Sequence, residues 1–519
     1  MDKSAVGTVF KEPLWMSQQG FIGRWFSIPP GNLPYDPWLL CSALFIVLTG
    51  FVMITSASLD VAAKNYDNAF FFAVRHGVFI LISLVAAFAV CKVSMQRWYT
   101  SGPWLLALGM ILLVAVLIPG IGREVNGSQR WIRLGLLNLQ SSEVAKFCMI
   151  IYLGGYLVRR LADVRSSWKG VVRPILPLGF FVFLLIMEPD YGAAVVIMAS
   201  VMGTIFLSGM RFSQFLVILT GALITVASLA IIQPYRVARL KSFQDPWADP
   251  FGAGYQLSQA QIAFGRGEWF GTGLGNSVQK LFYLPEAHTD FVYSVLSEEL
   301  GLVGAVSIIC LYFLMMVRVF LIGRQAEKQQ QFFMAFITYG FALVLCAQIL
   351  INIGVNVGAL PTKGLTLPLL SYGGSSLIVC AAMIAVILRI DYELKLQRMQ
   401  VGDGEFLIEH TIGAKHLLAQ PQDTEPFNDK PVNDEALINI SNYQEDLSSA
   451  AQKSTAVVKK VQKTSRQKSQ GPATEQYSMV DKINAGTEQD KPVQGEKIKA
   501  VSKTFDQARS KRKINRESI

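Results

Sequence analysis

The chain has 519 residues, of which 52% are hydrophobic and only 16% charged, and its formal net charge is +10. Soluble domains carry about 25% charged residues, so a wholly soluble globular protein is excluded. Uncharged apolar runs long enough to cross a bilayer recur along the chain, 38–56 and 215–233 among them, and the sequence reads as a polytopic integral membrane protein.

Before the first run lies a polar segment, 1–37, with Lys3, Lys11 and Arg24; its length does not suit a cleavable signal peptide. Apolar runs and their flanking charges then give about ten spans, at 38–57, 77–93, 103–119, 142–158, 174–188, 191–208, 215–233, 297–321, 332–352 and 373–390. The fifth and sixth meet at Glu188-Pro189-Asp190, which predicts a tight hairpin. The fold class is therefore an all-α polytopic membrane protein, with a transmembrane domain over 38–390. The six cysteines all fall in apolar runs and read as small hydrophobes.

Lys and Arg set the orientation. Lys92 and Arg97, then Arg159, Arg160, Arg165, Lys169 and Arg173, then Arg211, Arg318, Arg324, Lys328, Arg389 and Lys395 fall on one side. That bias places both termini in the cytoplasm and the segments 58–76, 120–141, 234–296 and 353–372 outside. The outer side also carries Lys64, Arg75, Arg123, Arg130 and Arg133, which topology alone does not explain. From about residue 391 onward a cytoplasmic tail is expected. After about residue 400 it turns polar, an acidic block followed by a basic one, a composition that does not pack a core and reads as disordered.

The outer loop 234–296, between the seventh and eighth spans, is far longer than a helix connection needs. It holds Arg239, a glycine-rich stretch with neither dinucleotide nor Walker spacing, and then YLPEAHTDF at 283–291. Thr289 and Asp290 would both serve as helix N-caps, so on residue type alone Asp290 is as well explained by capping as by chemistry. Glu298 and Glu299 follow inside an apolar helix, where carboxylates face a cavity or a partner. Further polar clusters lie at 126–131, at Glu143 and Lys146, at Glu188 and Asp190, and at 361–376. Together they put cations (Arg130, Arg239, Lys363) and carboxylates on one face of a helical bundle, which suits an amphiphile with a negatively charged head.

Six motifs in order carry a family resemblance: NGSQRWI at 126–132, SSEVAKF at 141–147, EPDYGAA at 188–194, GTGLGNSVQKL at 271–281, LPEAHTDFVYSVLSEELG at 284–301 and PTKGLTLPLLSYGGSS at 361–376. The chain resembles the SEDS family, the FtsW/RodA peptidoglycan polymerases, and within it the cell-division branch. It departs at Ser141, where the family usually has proline, and at Gln129, where a basic or small residue is common.

The resemblance implies polymerisation of lipid II, a disaccharide-pentapeptide on a polyprenyl pyrophosphate, at the outer face of the bacterial cytoplasmic membrane during septal wall synthesis. It implies Asp290 as general base on the acceptor sugar hydroxyl, and Arg130, Arg239 and Lys363 as holders of the pyrophosphate. Glu143, His288, Ser371 and Ser375 complete the candidate substrate contacts. A divalent cation (Mg or Mn) beside the pyrophosphate is an option the residues leave open. The implied partners are a class B penicillin-binding transpeptidase, other divisome membrane proteins and the membrane itself; nucleic acid is not among them. A flippase for the same lipid precursor and a scaffold for the transpeptidase are the alternatives.

Overall fold

The chain is described by a computed structural model covering residues 35–125, 128–135, 137–232, 242–252 and 254–418. The predicted N-terminal segment, Arg239 and the tail beyond residue 418 lie outside the described residues, apart from Tyr35, Asp36 and Pro37.

Long apolar helices dominate because a chain in lipid must satisfy its backbone polar groups within itself. In chain order they are α1 Pro37–Tyr66, α2 Phe71–Cys91 and α3 Met95–Leu117, then, after a small sheet, α4 Ser141–Arg159, the short α5 Leu161–Ser166, α6 Trp168–Met187, α7 Tyr191–Leu207, α8 Phe212–Ile232, α9 Tyr255–Gly267, α10 Val292–Lys328, α11 Phe332–Asn356 and α12 Gly374–Leu418. Among the described residues seven of these are long and apolar enough to cross a membrane: α1, α2, α3, α4, α6, α10 and α11. Tyr191–Leu207 and Phe212–Thr225 are shorter apolar helices at the sixth and seventh predicted spans. The tenth coincides with the start of α12, which runs on to Leu418, so the predicted tail boundary at 391 falls inside a helix.

Helix α4 is buried along most of its length and α11 along much of it, whereas α2 and α3 are peripheral. Helices in lipid associate by close packing of small residues rather than by a hydrophobic drive, and glycines provide the approach here. A Cβ on Gly340 of α11 would lie 2.5 Å from Ile150 of α4, and one on Gly50 of α1 would lie 2.5 Å from the Leu370 carbonyl. At one end of the bundle Asp36 caps α1 through the Leu39 amide at 2.9 Å and pairs with Arg318 of α10. The fifth and sixth predicted spans do form a hairpin, α6 and α7 being joined by residues 188–190 alone.

Two features depart from the expected helix-and-loop scheme. Between α3 and α4 the described residues form a three-stranded antiparallel meander, β1 Gly122–Val125, β2 Ser128–Leu134 and β3 Leu137–Gln140. Its second turn closes at Gly135, where φ of 68° favours glycine, and the register sets Trp131 opposite both Arg123 and Gln140. The second is α10, which begins at Val292 rather than 297 and breaks at Gly301, with φ 69° and ψ −169°.

Candidate active site

Four segments expected on one side meet at one end of the bundle: the start of α2, the sheet, the residues leading into α10, and the stretch between α11 and α12. With the α6–α7 turn they enclose a cavity of about 1100 Å³. Its wall carries four cations, Arg75, Arg123, Arg130 and Lys363, and four carboxylates, Glu143, Asp190, Glu286 and Asp290, between aromatic side chains that include Phe72, Trp131, Tyr191 and Tyr372.

Asp290 precedes α10 but does not cap it. The N-cap position is Phe291, which makes no side-chain cap bond, while the Thr289 hydroxyl donates to Glu286 Oε2 at 2.7 Å. The capping explanation therefore fails, and the Asp290 carboxyl is left to the cavity. It packs on Gly364, where an added Cβ would stand 3.1 Å from Asp290 Oδ2. Burial pushes the Asp290 carboxyl up to about 7, with Glu286 adding to the rise and Arg130 opposing it. Gly364→Ala should accordingly displace this carboxyl by a few tenths of an ångström and lower turnover by about tenfold, measured as initial rate at saturating substrate.

Arg130 leans on the α6–α7 turn. Its Nε donates to the Glu188 carbonyl at 3.3 Å and its Nη2 to the Pro189 carbonyl. The turn is itself anchored, since Ser141 Oγ donates to Glu188 Oε2 at 3.0 Å and Ser142 Oγ to Asp190 Oδ2 at 2.9 Å. Lys363 Nζ lies 5.8 Å from the centroid of the Tyr191 ring, a cation–π contact that keeps a flexible side chain against the wall.

The other predicted contacts fare differently. Glu143 reaches the wall, but it is paired with Lys146 at 2.8 Å and accepts from Gln348 Nε2 at 3.3 Å, so its charge is already matched. His288, Ser371 and Ser375 are not on the wall. His288 sets its ring between Phe72 and Tyr372, tilted to the first at 4.9 Å and edge-on to the second at 5.6 Å, and its carbonyl accepts the Tyr372 amide. Ser371 Oγ accepts the Leu367 amide at 2.9 Å, and Ser375 Oγ accepts the Gln140 amide at 3.2 Å. These hydroxyls shape the lining segments; the neighbouring Ser376 lines the cavity in their place, as does Ser128 of the sheet. Arg239 lies outside the described residues. Arg75 and Arg123 join the wall although the sequence marked them only as outer-side charge. Their signal was that a positive excess on the outer side has no topological use.

Among the described residues no three His, Cys, Asp or Glu side chains converge as a metal site. A divalent ion on a phosphorylated substrate needs only one or two carboxylates, and Glu286 is the lining residue that would hold one.

A helical membrane bundle with a cavity of this size, four cations on its wall and an uncapped, half-buried carboxyl at Asp290 defines a membrane protein that acts on an anionic amphiphile. The match to the FTSW_RODA_SPOVE cell cycle protein family spans residues 37–396, and the chain belongs to that family. It is 54% identical over 365 residues to the probable peptidoglycan glycosyltransferase FtsW of Halomonas elongata, covering 70% of this chain and 92% of that one. It is 50% identical over 380 residues to the protein of the same description from Pseudomonas fluorescens, covering 72% and 93%. Among solved structures, it matches a chain from a study of structural coordination of polymerization and crosslinking by a peptidoglycan synthase complex. The TM-score there is 0.57 and the identity 30%, with 70% of this chain and 99% of that chain covered. The rod shape determining protein RodA of Thermus thermophilus superposes with a TM-score of 0.52 and 30% identity, over 70% and 98% of the two chains.

Proposed function

We propose that the chain is a peptidoglycan glycosyltransferase that polymerises lipid II, with Asp290 as general base and Arg130 and Lys363 on the pyrophosphate. The observation that carries this reading is the Asp290 carboxyl, raised to about 7 in the same cavity as those cations. Asp290 takes the proton of the acceptor sugar hydroxyl as its oxygen bonds to the anomeric carbon. The C–O bond to the polyprenyl pyrophosphate breaks with its electron pair on the departing phosphate. That leaving group needs charge neutralisation rather than protonation, which a cationic wall provides. One base and a single displacement invert the anomeric centre, and no protein nucleophile is required. A divalent cation held by Glu286 would add charge beside the pyrophosphate when bound.

The septal site of action, the cytoplasmic termini and a class B penicillin-binding transpeptidase partner belong to the same proposal. They rest on the cell-division branch of the family and on the synthase-complex match. The purified chain with that transpeptidase, given lipid II, should yield glycan strands and free polyprenyl pyrophosphate; transbilayer movement of lipid II without polymer would favour the flippase. Arg130→Ala and Lys363→Ala should each lower turnover by about 10²-fold, the scale of losing one preorganised charge donor. Arg130→Lys should recover only part of it, because an ammonium cannot span the two carbonyls and the substrate as a guanidinium does.

A further inference from the structure

Two asparagines on α11 have no place in the chemistry above, yet both reach it. Asn352 and Asn356 are 1% and 0% exposed and lie one helical turn apart. Asn352 Nδ2 donates to the Asp290 carbonyl at 3.0 Å and to the Leu365 carbonyl at 2.6 Å. Asn356 Nδ2 donates to the same Asp290 carbonyl at 2.9 Å, and its Oδ1 accepts the Ser294 amide at 3.1 Å and the Ser294 hydroxyl at 2.7 Å.

We infer that Asn352 and Asn356 are positioning residues for glycosyl transfer, tying the backbone of Asp290 to the Lys363 segment so that base and pyrophosphate-binding cation keep a fixed separation. The inference rests on the general-base reading of Asp290. Two amide donors converge on one carbonyl and use both of its lone pairs, and the donor from Asn352 is shared with Leu365, two residues after Lys363. Asn356 also takes the first-turn Ser294 amide of α10, a group that a capping side chain at the helix start would otherwise take. Helix α10 is thus capped from α11, which explains how a residue at its entrance keeps its carboxylate for the cavity. Buried amides in a membrane helix are costly unless fully bonded; each of these two gives a donor to the Asp290 carbonyl, while Asn352 also donates to Leu365 and Asn356 to the Asn352 carbonyl.

The chemistry demands donors at this junction, not merely polar groups. Asn352→Asp would set an acceptor against two carbonyls and a negative charge beside the base, whereas Asn352→Leu keeps the volume and removes the donors. With the holoenzyme, its transpeptidase and lipid II, both variants should lose about 10²-fold in kcat while KM stays within about threefold, the mark of an interaction made at the reacting geometry. Asn352→Leu should still bind the transpeptidase in a pull-down. Its kcat/KM should begin to fall at a lower pH than wild type, since a loosened Asp290 is better solvated. The charged groups acting on that carboxyl are Glu286 from its own loop and Arg130 from β2, and Lys363 lines the same cavity from the segment between α11 and α12. If Asn352→Leu does not fold, Asn356→Ala removes one of the two donors and leaves the Leu365 tie, and about a tenfold loss in kcat with the same downward pH shift is expected. Wild-type kcat, or a loss explained by active fraction alone with an unmoved pH limb, overturns the inference. Asp290→Asn run in parallel separates the two levels. Polymer from Asp290→Asn would remove the underlying reading, while an inactive Asp290→Asn beside a normal Asn352→Leu would remove only the positioning role.

Discussion

Asp290→Asn is expected to leave the chain folded and bound to its transpeptidase while polymer formation from lipid II falls about 10²–10⁴-fold, the range a positioned general base contributes. The change removes proton-accepting capacity and little else. The carboxylate is not a helix cap, so its loss does not unpin α10, and the bonds from Asn352 and Asn356 go to the backbone carbonyl, which asparagine retains. Stability should shift slightly upward if at all, because a carboxyl whose pKa burial has raised is costly to keep ionised above that pKa, and asparagine lifts that cost. The same carboxyl sets a pH dependence. A base works only when ionised, so with a value of about 7 the wild-type kcat/KM should rise with pH and level off above about 8. Below about 6 it should fall tenfold per pH unit. A flat profile from pH 5 to 8, or undiminished polymer from Asp290→Asn, would remove Asp290 from the role.

The spans were legible because lipid forces long apolar runs. Hydropathy starts a span after its last charged residue, so the expected start at 77 skips Arg75 and His76 in α2, and the expected start at 297 includes Glu298 and Glu299 but misses the first turn of α10, Val292–Leu296. Arg75 lines the cavity and Glu298 and Glu299 brace the loop, since polar groups are tolerated near a helix end where tertiary partners await them. The sheet escaped because strands of four and seven residues carry little periodicity, although Gly135 between Leu134 and a second apolar residue was a turn signal. Within the site, Asp290, Arg130 and Lys363 share a wall as expected. Ser371 and Ser375 show the limit of motif reading, since a serine that orders a loop and one that contacts a ligand look alike until the geometry sets the hydroxyl against an amide. Asn352 and Asn356 had no sequence signal, because the Asp290 carbonyl and Ser294 that they bond lie more than 60 positions away.

Glu298 and Glu299 resolve into a clamp rather than a second reactive site, and breaking it should have the largest effect on stability. Glu299 accepts from Ser56 Oγ of α1 at 2.7 and 2.8 Å and pairs with Lys280 at 3.0 Å; Lys280 Nζ also donates to the Gly275 carbonyl at 2.7 Å. Glu298 takes the Val278 and Gln279 amides at 3.1 and 3.3 Å and the Ser277 hydroxyl. The chain can reach this arrangement only because α10 breaks at Gly301, where an added Cβ would fall 2.3 Å from the Gly271 nitrogen. Lys280→Met keeps the length of the side chain but strands the fully buried Glu299, so it should destabilise the fold by about 3–5 kcal/mol, read as a lowered unfolding midpoint in detergent. Lys280→Met combined with Glu299→Gln removes the stranded charge and should recover most of that loss, because an uncompensated buried ion costs more than a missing pair. Additive destabilisation in the double variant would show that the pair is solvated rather than buried. The segment 281–291 hangs between this clamp and the α11 asparagines, so loosening the clamp should lower turnover as well, through the freedom it returns to Asp290.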